Sequence, residues 1–366
     1  MKYSFIYLIF LSFLMCKSKE FKTKKTFREV KIDNVRQMDS AFNVRAIELK
    51  DNKVWFAGAD GDIGNESISE KDYYNSNVFQ FQNDSEPKLL SSWTRIFRND
   101  STMLNMRSLA KIDDALLVLS IESPAMLYKY ENGQIKLVYT ENHPKTFYDS
   151  MAFWNDLEGI AIGDPTDDCM SVIITRDGGE TWNKISCDTL PKVKEGEAAF
   201  AASDTNIAIV GDDTWVATGG KTSRVLYSPD KGLTWEVYET PIIQGKETTG
   251  MYSIDFYDGE NGFAIGGDYT NPDANISNKI KTTNGGKTWE VVGDGKSPGY
   301  RSCVQYIPGR NAKELVAVGF KGIDYSNDAG NTWNHLSDEG FYTIRFLNDS
   351  IAYAAGRGRI SKLTFK

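Results

Sequence analysis

Four copies of one octapeptide constrain this chain more than anything else in it. They read Thr175-Arg176-Asp177-Gly178-Gly179-Glu180-Thr181-Trp182, Ser228-Pro229-Asp230-Lys231-Gly232-Leu233-Thr234-Trp235, Thr282-Thr283-Asn284-Gly285-Gly286-Lys287-Thr288-Trp289 and Ser326-Asn327-Asp328-Ala329-Gly330-Asn331-Thr332-Trp333. The shared pattern is Ser/Thr-x-Asp/Asn-x-Gly-x-Thr-Trp, and successive copies start 53, 54 and 44 residues apart. A period of that length is the signature of a repeat architecture in which each repeat is one supersecondary unit.

Each residue type has a mechanical reason to stand at the tip of a β-hairpin. Asp or Asn folds its side chain onto backbone N–H groups two residues ahead, and Gly supplies the positive φ of the reversal. Thr re-enters an extended strand, and Trp places its ring in the apolar layer beside the hairpin. These residues are the Asp box, and the chain resembles the Asp-box (BNR) β-propellers, a group that includes the sialidases and the photosystem II assembly-factor propellers. The resemblance implies that Asp177, Trp182, Asp230, Trp235, Asn284, Trp289, Asp328 and Trp333 are structural and lie at the blade periphery, away from the ligand face.

From residue 40 onward the chain divides into seven similar units. Inner strands are predicted to begin near Phe42, Met106, Tyr148, Ala199, Met251, Tyr300 and Phe341, each followed by a second strand that mostly ends in Gly, such as Gly159-Ile160-Ala161-Ile162-Gly163. Short strands separated by Asn/Asp/Gly turns read as four-stranded antiparallel blades around an axis. The expected fold is therefore an all-β, seven-bladed β-propeller; six or eight blades also fit, because the first two units carry no octapeptide. The last unit is one strand short, and the orphan strand at residues 26–32 is expected to supply it, closing the ring and removing the open edge. A closed ring needs no partner to be stable, so a monomer is expected.

Residues 3–15 are an apolar run after Lys2, too short to span a bilayer stably and of the length of a signal-peptide core. Cys16 at its end reads as the acylated residue of a bacterial lipoprotein, although Phe13-Leu14-Met15 departs from the small residue usual before such a cysteine. The expected organisation is a signal peptide at 1–15, a tether at 16–25 and a single propeller at 26–366, lipid-anchored in the cell envelope. The formal net charge of −8 gives no basic face for nucleic acid. Cys169 and Cys187 flank the first octapeptide nearly symmetrically and form a cross-hairpin disulfide if the strand register brings them opposite. Cys303 is expected as a buried apolar residue on an inner strand.

The two histidines, His143 and His335, stand apart, and no Cys-x-x-Cys, nucleophile elbow or phosphate loop occurs. No metal and no cofactor is expected, redox cofactors included. What a propeller gathers at one end of its axis is the lead-in of each inner strand and the loop after each second strand. Those positions supply Arg45, Arg107, Asp149, Glu197, Tyr252 and Arg301, with Asp164, Lys221, Asp268, Tyr269 and Arg357. Convergent polar groups over a funnel are a ligand site by default.

The sialidase resemblance would assign Arg45, Arg107 and Arg301 to a carboxylated sugar, Tyr252 or Tyr269 with Glu197 to nucleophilic attack, and Asp164 to protonation. The run Arg45-Ala46-Ile47 lacks the proline that sialidases carry there. The repeat form resembles the assembly-factor propellers more closely, which implies a module binding a protein, peptide or glycan on its axial face without catalysis. A scaffold with no discrete ligand is the third reading.

Overall fold

The computed structural model describes residues 26–39, 42–59, 61–69, 93–95 and 104–366. Cys16, the apolar leader and the tether lie outside the described residues. Seven antiparallel sheets each hold a four-strand blade. In chain order, blade 1 is β2 to β5 (Val44–Lys50, Lys53–Gly58, Asp62–Ser67, Trp93–Arg95) and blade 2 is β6 to β9 (Met106–Ile112, Ala115–Ser120, Ala125–Glu131, Gln134–Glu141). Blade 3 is β10 to β13 (Tyr148–Phe153, Gly159–Gly163, Ser171–Thr175, Asn183–Lys184). Blade 4 is β15, β16, β18 and β19 (Ile207–Val210, Asp213–Ala217, Arg224–Ser228, Glu236–Glu239). Blade 5 is β20 to β23 (Thr249–Phe256, Gly262–Asp268, Lys279–Thr282, Glu290–Val291), and blade 6 is β24 to β27 (Cys303–Tyr306, Leu315–Gly319, Gly322–Ser326, Asn334–Ser337).

Blade 7 contains both ends of the described chain. Its order is β28 (Thr343–Phe346), β29 (Ile351–Gly356), β30 (Arg359–Phe365) and β1 (Val30–Gln37). The ring is thus closed by the N-terminal strand, a few residues later in the chain than the 26–32 stretch expected. Second strands such as Gly159–Gly163 and Leu315–Gly319 are buried on both faces, between the neighbouring blades. That double burial is why they read as continuous apolar runs rather than as alternating ones.

The octapeptide closes its turn differently from the sequence expectation. The carboxylate bonds four residues ahead: Asp177 accepts from the Thr181 N–H at 2.9 Å and hydroxyl at 2.6 Å, and Asp230 and Asp328 repeat this with Thr234 and Thr332. Asn284 accepts from the Thr288 N–H and donates to its hydroxyl. The glycine is required twice. Gly179, Gly232, Gly286 and Gly330 have φ of 78°, 81°, 84° and 82°. A Cβ on them would fall 2.3 Å from Leu117, 2.7 Å from Ile174, 3.0 Å from Trp215 and 2.2 Å from Phe263, each on the preceding blade. Every octapeptide therefore pins its own blade against the previous one. Trp182 and Trp289 are buried edge-on against Phe153 and Phe256, while Trp235 and Trp333 are partly buried.

Cys169 and Cys187 do form a disulfide, with Cα atoms 5.4 Å apart and a sequence separation of 18. Closing a loop of that size restricts the unfolded chain by roughly 3 kcal/mol. Cys303 is free and buried at the start of the blade 6 inner strand.

Blade 4 departs from the expected repeat. Its inner strand was predicted from Ala199, but β15 starts only at Ile207. The missing residues do not follow the blade. They cross the axis of the ring, and residues 201–205 hydrogen-bond to all six other blades. Arg45 of blade 1 and Arg107 of blade 2 donate to the carbonyls of Ala202 and Ala201. Asp204 accepts from Ser108 Oγ, Leu109 N and Met151 N of blades 2 and 3. Thr205 meets Ser253 of blade 5, Ser203 donates to the Ser302 carbonyl leading into blade 6, and Thr343 and Arg345 of blade 7 donate to the carbonyls of Ser203 and Asp204. Two short strands, β14 (Glu197–Ala198) and β17 (Gly219–Gly220), pair with each other, and β17 pairs in turn with β20, which ties the start of this crossing to blade 5. The channel is therefore plugged at mid-depth, leaving a depression on each face.

Candidate functional site

The inner strands of blades 1, 2, 3 and 5 share a defect at their first turn. Register slips by one residue between Val44 and Ala46, Met106 and Ser108, Tyr148 and Ser150, and Met251 and Ser253. The extra residue of each bulge is Arg45, Arg107, Asp149 or Tyr252. A bulge twists its strand and re-aims the unpaired side chain; here three of the four reach the same axial depression.

That depression is a bowl of about 480 Å³ floored by the plug at residues 198–202. Its charged lining is Arg45, Arg107, Asp164 and Glu247. Seven aromatic rings complete the wall, from Phe147, Phe200, Tyr252, Tyr269, Tyr300, Phe320 and Tyr342. Phe200 stacks flat on Tyr252 at 3.9 Å, Tyr300 meets Tyr252 edge-on at 4.8 Å, and Phe320 leans on Tyr300 at 5.4 Å. Tyr269 and Phe320 stand at the rim, 49% and 44% exposed. Rings so open to water gain by being covered.

The two arginines are oriented from below and from the side. Arg45 donates to the Ala202 carbonyl at 3.0 Å and lies 4.0 Å over the Tyr342 ring, while its Nε has no hydrogen-bond partner among the described residues. Arg107 donates to the Ala201 carbonyl at 2.9 Å and to Asn105 at 3.0 Å. Burial, and then the charge of Arg45, bring Arg107 down to about 10, and burial lowers Arg45. Neither guanidinium forms an ion pair among the described residues. Opposite them, Asp164 accepts from the Ala199 N–H at 2.8 Å, and burial raises it to about 6. Tyr252 donates to the Thr248 carbonyl, and burial pushes its hydroxyl well above the ordinary tyrosine range.

The remaining sequence candidates are placed elsewhere. Asp149 is fully buried behind the bowl wall, and the Ala201 N–H of the plug, poorly aligned for a hydrogen bond, is the one backbone donor near its carboxyl among the described residues. Burial first, then the charge of Asp164, hold its carboxyl far above the usual range. Glu197 is buried in an ion pair with Arg224 at 2.6 Å and accepts from Thr218, so it braces the start of the plug. Arg301 binds Asp324 through Nε and Nη2, both at 2.6 Å, and faces away from the bowl. Lys221 is an exposed partner of Glu195, Asp268 caps the turn at Thr270, and Arg357 bridges to Asn43 outside the bowl. The three-arginine set implied by the sialidase resemblance is thus not assembled, because Arg301 is committed to its own blade. His335 lies between Asp324 and Asp338 at 3.0 Å to each, on the periphery.

Sequence reasoning missed Phe147, Phe200, Glu247, Tyr300, Phe320 and Tyr342. Five of these stand at or beside predicted strand ends: Phe147 precedes Tyr148, Phe200 follows Ala199, Tyr342 follows Phe341, Tyr300 begins its strand just before Arg301, and Phe320 follows Gly319 at the end of a second strand. The signal was present, but the search for polar groups passed over aromatic ones, and a one-residue slip of register exchanges Tyr300 for Arg301 on the axial side.

No family model and no curated protein matches the chain. Solved structures do. "YCF48 bound to D1 peptide" superposes with a TM-score of 0.61 at 11% identity, covering 93% of this chain and 96% of that one. "YCF48 from Cyanidioschyzon merolae" gives 0.60 at 13% identity over 91% and 98%. "Crystal structure of RRP9 WD40 repeats" gives 0.59 at 11% over 92% and 97%. At such identities the likeness is one of fold: this chain is a seven-bladed β-propeller.

Proposed function

We propose that this protein is a binding module that holds a protein partner through a peptide segment seated in the axial bowl. The observation that carries the reading is the pair of neighbouring, half-buried guanidiniums, Arg45 and Arg107, oriented by the plug and in no direct ion pair among the described residues, although the charges of Glu122 and Asp149 reach Arg107. Two like charges brought together under aromatic walls cost free energy that an incoming acceptor recovers, and guanidinium forks suit carboxylates and peptide carbonyls. The rim rings supply the apolar cover that anchors a side chain at the centre of an interface. The likeness to a propeller whose structure was solved with a peptide adds support at the level of fold alone. Against a sialidase-type reaction stand the ion pairs that occupy Glu197 and Arg301.

Panning a peptide library on the bowl tests this. Selected peptides are expected to bind the parent protein and to bind an Arg45→Ala, Arg107→Ala variant at least tenfold more weakly, a loss of about 1.4 kcal/mol or more. Equal binding by both proteins would sink the proposal.

The lipid anchor at Cys16 and the Asp-box kinship are part of the same reading. Thr26 lies beside Asn327 in the blade 6 octapeptide, and Phe27 packs on Tyr325, on the face away from the bowl. A tether of residues 16–25 reaches at most about 35 Å, so an anchored domain turns its bowl away from the membrane. Incorporation of a labelled fatty acid, expected in the parent and lost in Cys16→Ser, checks this; labelling that survives the substitution would exclude Cys16.

A further inference from the structure

Beneath the plug, on the face opposite the bowl, lies a second cavity of about 370 Å³. It is lined by the exit halves of the inner strands, and its chemistry is unlike that of the bowl. Apolar walls come from Ile47, Leu49, Met151, Phe153, Ile254 and Phe346. Set into them are three carboxyl groups, Glu48 of blade 1, Asp204 of the plug and Asp255 of blade 5, with a single guanidinium, Arg345.

Asp204 is used up by the plug contacts described above. The other two are only half engaged. One oxygen of Glu48 accepts from the Lys111 N–H at 2.5 Å, and one oxygen of Asp255 accepts from the Tyr306 N–H at 2.6 Å. The second oxygen of Glu48 has no hydrogen-bond partner among the described residues, and Asp255 is eased further only by the adjacent Phe256 N–H. Arg345 does not neutralise them. It donates to Thr343 Oγ1 and to the carbonyls of Ile344 and Asp204, and forms no ion pair with any of the three carboxyls.

We propose that this cavity is a binding site for alkylammonium groups: a primary amine on an aliphatic stem, with the stem along the apolar walls and an ammonium at the carboxylate of Glu48 or of Asp255. Two carboxylates from separate blades across an apolar chamber suit a cation with methylene groups more than a bare metal ion. A metal needs three or more close ligands, and no such group of His, Cys, Asp or Glu occurs among the described residues. Lysine-like stems pack on apolar surface while the charged head finds its acceptors. The ammonium can come from a free aliphatic polyamine or from a lysine side chain. The lysine-rich stretch 17–25 of this same chain leads into the domain on this face, beside Thr26.

Burial lifts Glu48 and Asp255 to about 7 and Asp204 to about 6; Arg345 pulls all three down, and Lys50 does so for Glu48. The site therefore gains charge between pH 6 and 8, and a cation that binds there releases protons.

The test titrates the full-length protein, solubilised in detergent, with spermidine and separately with an acetylated, amidated peptide of residues 17–25, by calorimetry at pH 6 and pH 8. The variants are Glu48→Gln with Asp255→Asn, which keep the acceptors for Lys111 and Tyr306, and Leu233→Ala at the exposed periphery of blade 4 as the control. Saturable binding is expected in the parent and in Leu233→Ala, tighter at pH 8, and at least tenfold weaker in the double variant. Spermidine alone binding would identify a free polyamine as the source, and the peptide binding as well would identify a lysine side chain. No binding of either probe at millimolar concentration, or equal affinity in the parent and the double variant, would overturn the proposal.

Discussion

Deleting residues 26–37 is expected to convert a cooperatively folding ring into an aggregating species. Strand β1 pairs with β30 from Val30↔Phe365 to Gln37↔Arg359, and the chain before it adds backbone bonds between Arg28, Glu29 and Lys366. Phe27 is buried between Tyr325 and Phe365, with centroids 5.2 and 5.6 Å away, and the Arg310 guanidinium lies 4.7 Å over it. Without these residues β30 becomes an open edge, a template for pairing with other chains. The milder Phe27→Ala leaves the strand pairing intact and removes the ring, for which about 3–5 kcal/mol is expected. Light scattering of the truncated chain and urea unfolding of Phe27→Ala measure the two effects. A truncated chain that scattered no more light than the parent, together with an unchanged urea midpoint in Phe27→Ala, would mean that the ring does not depend on this closure.

The second large effect is expected at the plug. Asp204 is buried and satisfies Ser108 Oγ at 2.6 Å, Leu109 N at 3.1 Å and Met151 N at 3.2 Å, so it ties blade 4 to blades 2 and 3 across the axis. Asp204→Leu leaves three buried donors without an acceptor, and roughly 3–5 kcal/mol of stability should be lost. Asp204→Asn keeps an acceptor and should lose less.

The same residue gives stability an unusual pH dependence. Burial raises Asp204 to about 6, Glu48 and Asp255 to about 7 and Asp164 to about 6, whereas in the unfolded chain these carboxyls titrate near 4. Between those values the folded state binds more protons than the unfolded one, so stability falls as pH rises from about 5 to 8. The octapeptide carboxylates act in the opposite sense: hydrogen bonds from their threonines lower Asp177, Asp230 and Asp328 against the opposing pull of burial, and their contribution is lost only as pH falls below about 4. Urea unfolding at pH 5 and pH 8 checks the sign. The expected order is greater stability at pH 5, with a smaller difference in Asp204→Asn; greater stability at pH 8 would contradict the burial of these groups.

How much of this was legible in the sequence follows from what repeats. The octapeptide and the apolar second strands repeat because blades must turn at their edges and pack against their neighbours, so the propeller and its closure by the N-terminal strand could be read from spacing, whereas the choice of seven blades over six or eight and the register that joins Cys169 to Cys187 waited for the structure. Arg45, Arg107, Asp164, Tyr252 and Tyr269 were reached by the same rule, since topology alone brings those positions to one end of the axis. What could not be read was the part that breaks the repeat. Ala199 begins a stretch that resembles an inner strand in composition, yet its small residues let the backbone cross the axis, where six blades supply hydrogen bonds that no local pattern announces. The pairing of Arg301 with Asp324 and of Glu197 with Arg224 was equally hidden, because both partners come from third strands that carry no distinguishing signal.

The claim that the bowl is the interaction face is tested most directly by photocrosslinking in the native cell. A photoreactive phenylalanine derivative replaces Tyr269 or Phe320 at the rim, or Leu233, which is 71% exposed at the periphery of blade 4. The account predicts discrete adducts to the same protein from Tyr269 and Phe320, lost when Arg45 and Arg107 are also replaced by Ala, and none from Leu233. Adducts from Leu233 with none from the rim positions would contradict it.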